Sequence, residues 1–473
     1  MTGADAIVDS LIRHGVDTVF GLPGVQMYGL FDALARNRDK IRLINARHEQ
    51  GVAYMAMGHA YATGRPAVFT VVPGPGVLNT MAAIATAQAV NVPILCLSGE
   101  VPSEMIGKGR GALHEIPDQL GTLRTLMKWA KRIEHPTQAP DLVAQAFREM
   151  SSDRPGPVAL EISPDQLTAV ADVIPQDPFP LRPSPPPDTE KIAALAAALN
   201  RAEHPVLWTG SGALNAAPQV LALAERLGAP VMANRTGRGV VDDRNPLAHN
   251  MASIWSLWQD ADVLVGIGTR MDAARFGGFR AGLTTARIDV DPAEGRRLKV
   301  DIGITADAAA ALDALLPLIE PRDTTEAVAA SNGAKQAQRE EIQTLAPQVP
   351  FVNAIREALP ENGILCDEMT QVAYASLISY PAFNPRSYIT VGYSGTLGAG
   401  FPVALGVKVA QPDRPVISIT GDGGFLFAAN ELATAVHHGI NLITVLFNNH
   451  AYYNVMRDQR RLYEGRDAGS AIT

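Results

Sequence analysis

The chain has no run of the ~20 apolar residues that a helix needs to cross a bilayer, and its start, "MTGADAIVDSLIRHG", lacks the apolar h-region of a secretory signal. It also lacks a long block of one charge. Its 48 acidic and 40 basic side chains are interspersed, leaving a formal charge of -8 and no surface prepared for nucleic acid or anionic lipid. The small basic cluster "KWAKR" at 128–132 reads as a solvated helix face or loop. Cysteine is nearly absent. Cys96 and Cys366 stand far apart in apolar, strand-like contexts, which excludes a disulfide framework and suits reduced core residues in a cytoplasmic compartment.

What is present is glycine, proline and apolar side chains: 41 Gly, 34 Pro and 47% hydrophobic residues in 473, the composition of an α/β protein rich in tight turns and too long for one core. In the first segment, strand patterns ("DTVFG", "IRLINAR", "AVFTVV", "PILCLSG") alternate with helical ones ("EQGVAYMAMGHAYATG", "LNTMAAIATAQAVN"). Strands that are apolar throughout, with helices between them, imply a parallel sheet covered on both faces. Seven prolines from Pro175 to Pro187 then forbid a continuous helix and mark an extended linker. A second α/β segment follows with "HPVLWTGSGA", "APVMAN", "ADVLVGIGTR" and "TARIDVD", and a third with "GILCDE", "RSYITV", "RPVISITGDGG" and "LITVLFNN". The expected fold class is therefore α/β, with three open parallel-sheet domains at 1–165, 189–320 and 346–473, joined by a Pro-rich linker at 166–188 and a polar, Ala-rich connection at 321–345.

The third segment carries the most chemistry. Open parallel sheets bind ligands at the carboxyl ends of their strands, where "GDGG" places Asp422 and "NN" places Asn449, separated by enough chain for one helix and a returning strand. One carboxylate and one amide oxygen suit a hard cation such as magnesium. Gly421, Gly423 and Gly424 suit a tight turn and close backbone approach to phosphate. On residue chemistry alone, a capping role for Asp422 and an ordinary turn at Asn448 or Asn449 remain open.

In order, spacing and strand context, "GDG" followed by "NN" resembles the diphosphate-binding signature of thiamine-diphosphate enzymes. "VFGLPG", "ARHEQGVAYMAMGHAYATGRP", "PGPGVLN" and "VPILCLSG" resemble the pyrimidine-binding domain of the acetolactate-synthase-like branch. The resemblance spans essentially the whole chain. It implies pyrimidine-binding, central and diphosphate-binding domains, and a last domain that is C-terminally incomplete because relatives continue well beyond the position of Ala451.

It also implies thiamine diphosphate and Mg2+ as cofactors, with Asp422, Asn449 and the carbonyl of Ala451 as metal ligands. Glu49 would act on the cofactor's pyrimidine. Pro23, Gly74 and Asn79 would line it, Gly395 would offer its carbonyl to the amino group, and Leu397 would wedge the cofactor into a bent shape. Gln26 and His114 lie where relatives vary their substrate-facing side chains, and His114, which replaces a glutamine, could transfer a proton unless Glu115 or Asp118 satisfies it.

"NRTGRGVVDDRNPLAHN" and "GIGTRMD" faintly resemble flavin-contacting segments, which makes FAD a further candidate cofactor. The activity implied is decarboxylation of a small 2-oxo acid with carboligation to a second carbonyl compound, in a homodimer or homotetramer without nucleic-acid or membrane partners. The alternatives are a simple 2-oxo-acid decarboxylase, a 2-hydroxyacyl thioester lyase, and a noncatalytic α/β ligand-binding protein.

Overall fold

The computed structural model describes residues 1–272, 278–392 and 394–472. The chain divides into two compact units, one of Met1–Arg182, Cys366–Met369 and Val391–Thr473, the other of Pro183–Leu365 and Thr370–Thr390.

Six strands of the first unit form a parallel sheet: β1 (Thr18–Gly21), β2 (Arg42–Asn45), β3 (Ala67–Val71), β4 (Ile94–Gly99), β5 (Trp129–Ile133) and β6 (Val158–Ile162), in the order β2-β1-β3-β4-β6-β5. β3, β4 and β6 are buried along their whole length, as strands covered on both faces must be, while the edge strands β2 and β5 are partly exposed. Gly21 pairs with both Asn45 and Thr70, and Val71 with Ser98, so neighbouring strands end level. The loops after β1 to β4 therefore leave from one edge, and they carry Gln26, Glu49, Gly74 and His114. Of the "KWAKR" cluster, Trp129–Arg132 lie in strand β5 and Lys128 in the bend just ahead of it, so it is loop and strand and not a helix face. Arg132 reaches buried Glu161 at 2.5 Å, and Lys128 donates to the carbonyls of Ser152 and Arg154.

The helix Glu49–Thr63 is buried on nearly every side and packs directly on the helix Gly400–Ala410. Two glycines make that approach possible. A Cβ on Gly58 would stand 2.0 Å from the carbonyl oxygen of Val403, and one on Gly406 would stand 1.9 Å from that of Met55. Gly64, in the left-handed region at φ 68°, ends the first of these helices. Between Ala171 and Asp188 the described chain has no helix or strand, yet Arg182 anchors it through paired bonds to Glu149 at 2.6 and 3.0 Å.

The second unit holds β7 (Pro205–Thr209), β8 (Val231–Ala233), β9 (Ala248–His249), β10 (Val263–Ile267), β11 (Thr284–Asp289) and β12 (Ile302–Thr305), a parallel sheet in the order β12-β11-β10-β7-β8-β9. One core cluster is aliphatic, built from Leu195, Leu199, Val220, Leu223, Val265, Ile288 and Leu312, and a second packs Trp208 and Trp258 with Met232 and Leu264. Within the 321–345 connection, Thr325–Ile342 is an 18-residue helix, which its alanines favour. A third sheet takes β13 (Ile364–Asp367), β14 (Tyr388–Thr390), β15 (Val416–Gly421) and β16 (Ile443–Phe447) in the order β14-β13-β15-β16, and the division between the units runs through β13. Both cysteines are buried in strands, β4 and β13, where loss of solvation pushes their thiols up.

Candidate active site

At the carboxyl edge of the first sheet, Glu49 opens its helix. His48 caps that helix, its ring accepting the Gln50 amide at 3.1 Å. From the loop and helix after β3, Asn79 donates its side-chain amide to Glu49 Oε2 at 3.0 Å, so two of the expected pyrimidine-facing residues meet. Gly74 adopts φ 55°, and a Cβ there would lie 2.2 Å from the carbonyl oxygen of His114. The Gly74 amide donates to Gln119 Oε1 at 2.8 Å, and Gln119 in turn donates to buried Glu161 at 3.0 Å. Burial pushes the Glu161 carboxyl up, while Gln119 and Arg132 pull it back. Pro23 sits exposed in the loop after β1.

Gln26 and His114 form a pair that sequence alone did not reveal. Gln26 donates Nε2 to the Leu113 carbonyl at 2.9 Å, which turns its Oε1 toward His114 Nδ1, also at 2.9 Å. That assigns the proton to Nδ1 and leaves Nε2 of the neutral ring with a lone pair. The expected partners are engaged elsewhere. Glu115 accepts the amides of Gly109 and Ala112, and Asp118 caps the next helix through the Gly121 amide. Both Gln26 and His114 hold positive φ, 73° and 68°, a strained state for such side chains that local bonds must maintain. Beside Gln26 lies a hollow of about 480 Å³ walled by Val25, Tyr28, Met105, Leu113 and Leu167.

The "GDGG" turn leaves the carboxyl end of β15, and "NN" leaves that of β16. Gly421 pairs with Phe447, so Asp422 and Asn449 emerge side by side from adjacent parallel strands. Asp422 does not cap the short helix it opens, since that helix has no side-chain cap bond. Its Oδ2 is buried and accepts no hydrogen bond among the described residues. A buried carboxylate oxygen without a donor is costly, and a cation would satisfy it. Asn449 Oδ1 accepts the Ala451 amide at 3.2 Å, and Asn448 Oδ1 accepts that of His450 at 3.0 Å, folding the turn. Among the described residues no group of three or more His, Cys, Asp or Glu is arranged for a metal, so a cation here would depend on mixed amide, carbonyl and carboxylate oxygens.

The glycines of this turn have a second reason to be glycine. A Cβ on Gly423 would lie 2.7 Å from the Tyr452 ring, and one on Gly424 would lie 2.6 Å from Glu368 Oε1. Glu368, which sequence reasoning missed, is fully buried under the turn. Its carboxylate accepts the Thr420 hydroxyl and the amides of Gly398, Ala399 and Gly400. Burial pushes its carboxyl up and these donors oppose the shift. The available signal was its place, just past the end of strand β13. Glu368 thus ties the Asp422 turn to the segment carrying Gly395, at φ 63°, and half-buried Leu397.

His59 and His438 are held in packing and hydrogen bonds. His59 packs edge-on against Phe20 and is held neutral by burial, and His438 likewise titrates low instead of acting as a charged helix end. In the central segment the polar groups proposed for flavin turn inward. Asn234 accepts the amides of Thr236 and Gly237, and buried Arg238 pairs with Asp243 at 2.7 Å. The glycines at the ends of β7 and β10 are filled by each other, a Cβ on Gly212 falling 2.7 Å from the Gly268 Cα. These contacts give a flavin site no support.

Among the described residues no helix is long and apolar enough to cross a membrane. Three family models match: the N-terminal thiamine pyrophosphate-binding domain over residues 1–122, the central domain over 192–315 and the C-terminal thiamine pyrophosphate-binding domain over 369–472. The chain is 35% identical to a probable 2-ketoarginine decarboxylase of Pseudomonas aeruginosa, over 97% of this chain and 84% of that protein. It is 33% identical to the large subunit of acetolactate synthase isozyme 1 of Escherichia coli, over 98% and 84%. With a probable acetolactate synthase large subunit of Methanocaldococcus jannaschii it shares 32%, over 99% and 83%. With a Glu49–Asn79 pair at one sheet edge, an unsatisfied Asp422 at another, and all three domain models matched in order, this chain belongs to the thiamine-diphosphate enzyme family and is related to its acetolactate-synthase-like members.

Proposed function

We propose that the protein uses thiamine diphosphate and magnesium to decarboxylate a small 2-oxo acid and to join the remaining fragment to a second carbonyl compound. The observation that carries this reading is the orphaned Oδ2 of Asp422 beside the Asn449 turn. Asp422, the Asn449 side chain and the Ala451 carbonyl would hold the metal, and through it the diphosphate. When bound, thiamine diphosphate supplies the carbon nucleophile and electron sink that the decarboxylation needs. Gly395 and Leu397 would hold the cofactor from the third segment, and Pro23, Gly74 and Asn79 from the first.

Glu49, fixed by Asn79, would hold the proton on the pyrimidine ring. His114, oriented by Gln26 so that Nε2 is free to accept, would move a proton at the substrate. The same reading takes the assembly as a homodimer or homotetramer.

Carboligation draws support from the acetolactate synthases among the relatives. Release of a simple aldehyde is the second reading, favoured by the likeness to a probable 2-ketoarginine decarboxylase. The hollow beside Gln26 has no acidic group among its lining residues, which favours an uncharged substrate side chain over a guanidinium.

The test is incubation with thiamine diphosphate, magnesium and a panel of 2-oxo acids bearing aliphatic, aromatic and guanidino side chains, with products identified by mass spectrometry. A hydroxy keto acid from aliphatic members supports the preferred reading, aldehyde alone supports the second, and no carbon dioxide from any member defeats both. Asp422→Ala is expected to weaken cofactor retention by at least ~10–100-fold, the scale seen for disturbing even the outer shell of a metal site. Titration by intrinsic fluorescence, with and without a chelator, measures it. Equal retention by both proteins in both conditions would remove Asp422 from the metal site.

A further inference from the structure

Glu431 is fully buried, and three of its four hydrogen bonds go to the turn that presents Glu49. Its Oε1 accepts the amides of Arg47 at 3.1 Å and His48 at 3.0 Å. Oε2 accepts the Arg47 amide at 3.2 Å and the Thr434 hydroxyl at 2.5 Å. A Cβ on Gly51 would stand 2.5 Å from Glu431 Oε1, so the glycine of "HEQG" is what admits this carboxylate to the start of the Glu49 helix. The helix that Glu431 opens, Glu431–His438, holds the same loop from its other end. There the Asn45 amide donates to His438 Nε2 at 3.1 Å, and Arg42 donates to the His438 carbonyl at 3.2 Å.

A bare helix start leaves its first amides without partners. At Glu49 those just ahead of the helix are fixed by the buried Glu431 side chain, while His48 caps the Gln50 amide. The direction in which the first side chain leaves the helix depends on where the first turn is anchored. We propose that Glu431 is a positioning residue for Glu49, holding the 47–48 backbone so that the Glu49 carboxylate, steadied from its far side by Asn79, meets the cofactor's pyrimidine. This rests on the reading of Glu49 given above.

The experiment compares wild type with Glu431→Ala, Glu431→Gln and Glu49→Gln, and adds Thr434→Val, an isosteric change that frees Glu431 without touching the loop. In cofactor-free protein, amide hydrogen exchange over 45–52 is expected to rise about tenfold in Glu431→Ala, the size set by losing its hydrogen bonds to the loop. Glu431→Gln, whose remaining oxygen still accepts both amides, should stay near wild type, and exchange in β3 and β4 should not change. With saturating thiamine diphosphate and magnesium, proton exchange at the cofactor's C2 should fall about tenfold in Glu431→Ala and less in Thr434→Val, with cofactor affinity kept.

Faster amide exchange with wild-type C2 exchange would make Glu431 a structural cap only and overturn the proposal. If Glu431→Ala does not fold, wild-type behaviour of Thr434→Val in both measurements overturns it. Should Glu49→Gln itself exchange at the wild-type rate, the reading of Glu49 fails and this inference falls with it. Loss of exchange in Glu49→Gln alone defeats only the role of Glu431.

Discussion

Gly406→Ala is expected to abolish the folded first unit, or to lower its stability by more than ~4–5 kcal/mol, the range reserved for severe core disruption. The new methyl would stand 1.9 Å from the Met55 carbonyl oxygen and 2.6 Å from its carbon. Gly58→Ala meets the mirror-image obstacle, 2.0 Å from the Val403 oxygen. Both obstacles are backbone of buried helices, so no side chain can swing aside, and the helices must separate along their whole contact. Gly333→Ala is the control. It sits exposed in the helix Thr325–Ile342 with nothing within 4 Å, and there alanine should stabilise by ~0.5–1 kcal/mol. Soluble yield and thermal unfolding of the three variants measure the contrast. Wild-type melting of Gly406→Ala would mean that the two helices do not touch as described.

Glu49→Gln is expected to slow turnover and C2 proton exchange by ~10²–10⁴-fold, the usual worth of a positioned acid or base, while leaving cofactor affinity within a few-fold. The substitution keeps length and leaves an oxygen for the Asn79 amide, so the local geometry should survive. What goes is the ability to exchange a proton with the ring. Isotope exchange at C2 followed by NMR, together with a cofactor titration, separates the two effects. Exchange within about threefold of wild type would remove Glu49 from proton chemistry, and loss of cofactor with normal residual exchange would make it a binding group.

The strands that read as apolar runs ending in glycine or polar turns are strands in the structure, because a sheet covered on both faces leaves that imprint on local sequence. β5, β6, β9 and β12 carry weaker imprints and went unread. "WAKRI" is an edge strand interrupted by Lys131 and Arg132, the second of which pairs with Glu161, and Ala248–His249 is only two residues long. The site was legible where one motif supplies a residue and its setting, as with Asp422 at the end of β15.

It was not legible where a group acts across the chain. Glu431 meets Arg47 across 384 residues, Gln26 meets His114 across 88, and Glu368 meets Gly398 across 30, and no local period records such pairings. The glycines at 58 and 406 read as ordinary helix residues, since the need for a missing Cβ arises only from the opposing helix.

That helix contact has a consequence for synthesis. The segment Glu49–Thr63 leaves the ribosome early, apolar on nearly every side, and the backbone it lies against is encoded after residue 400. At ~5–20 residues per second the wait lasts on the order of tens of seconds. Through that interval the nascent first sheet is obliged to carry a helix with one apolar face uncovered, which makes it a natural client for chaperones and the point at which slowed translation would lower the yield of this protein.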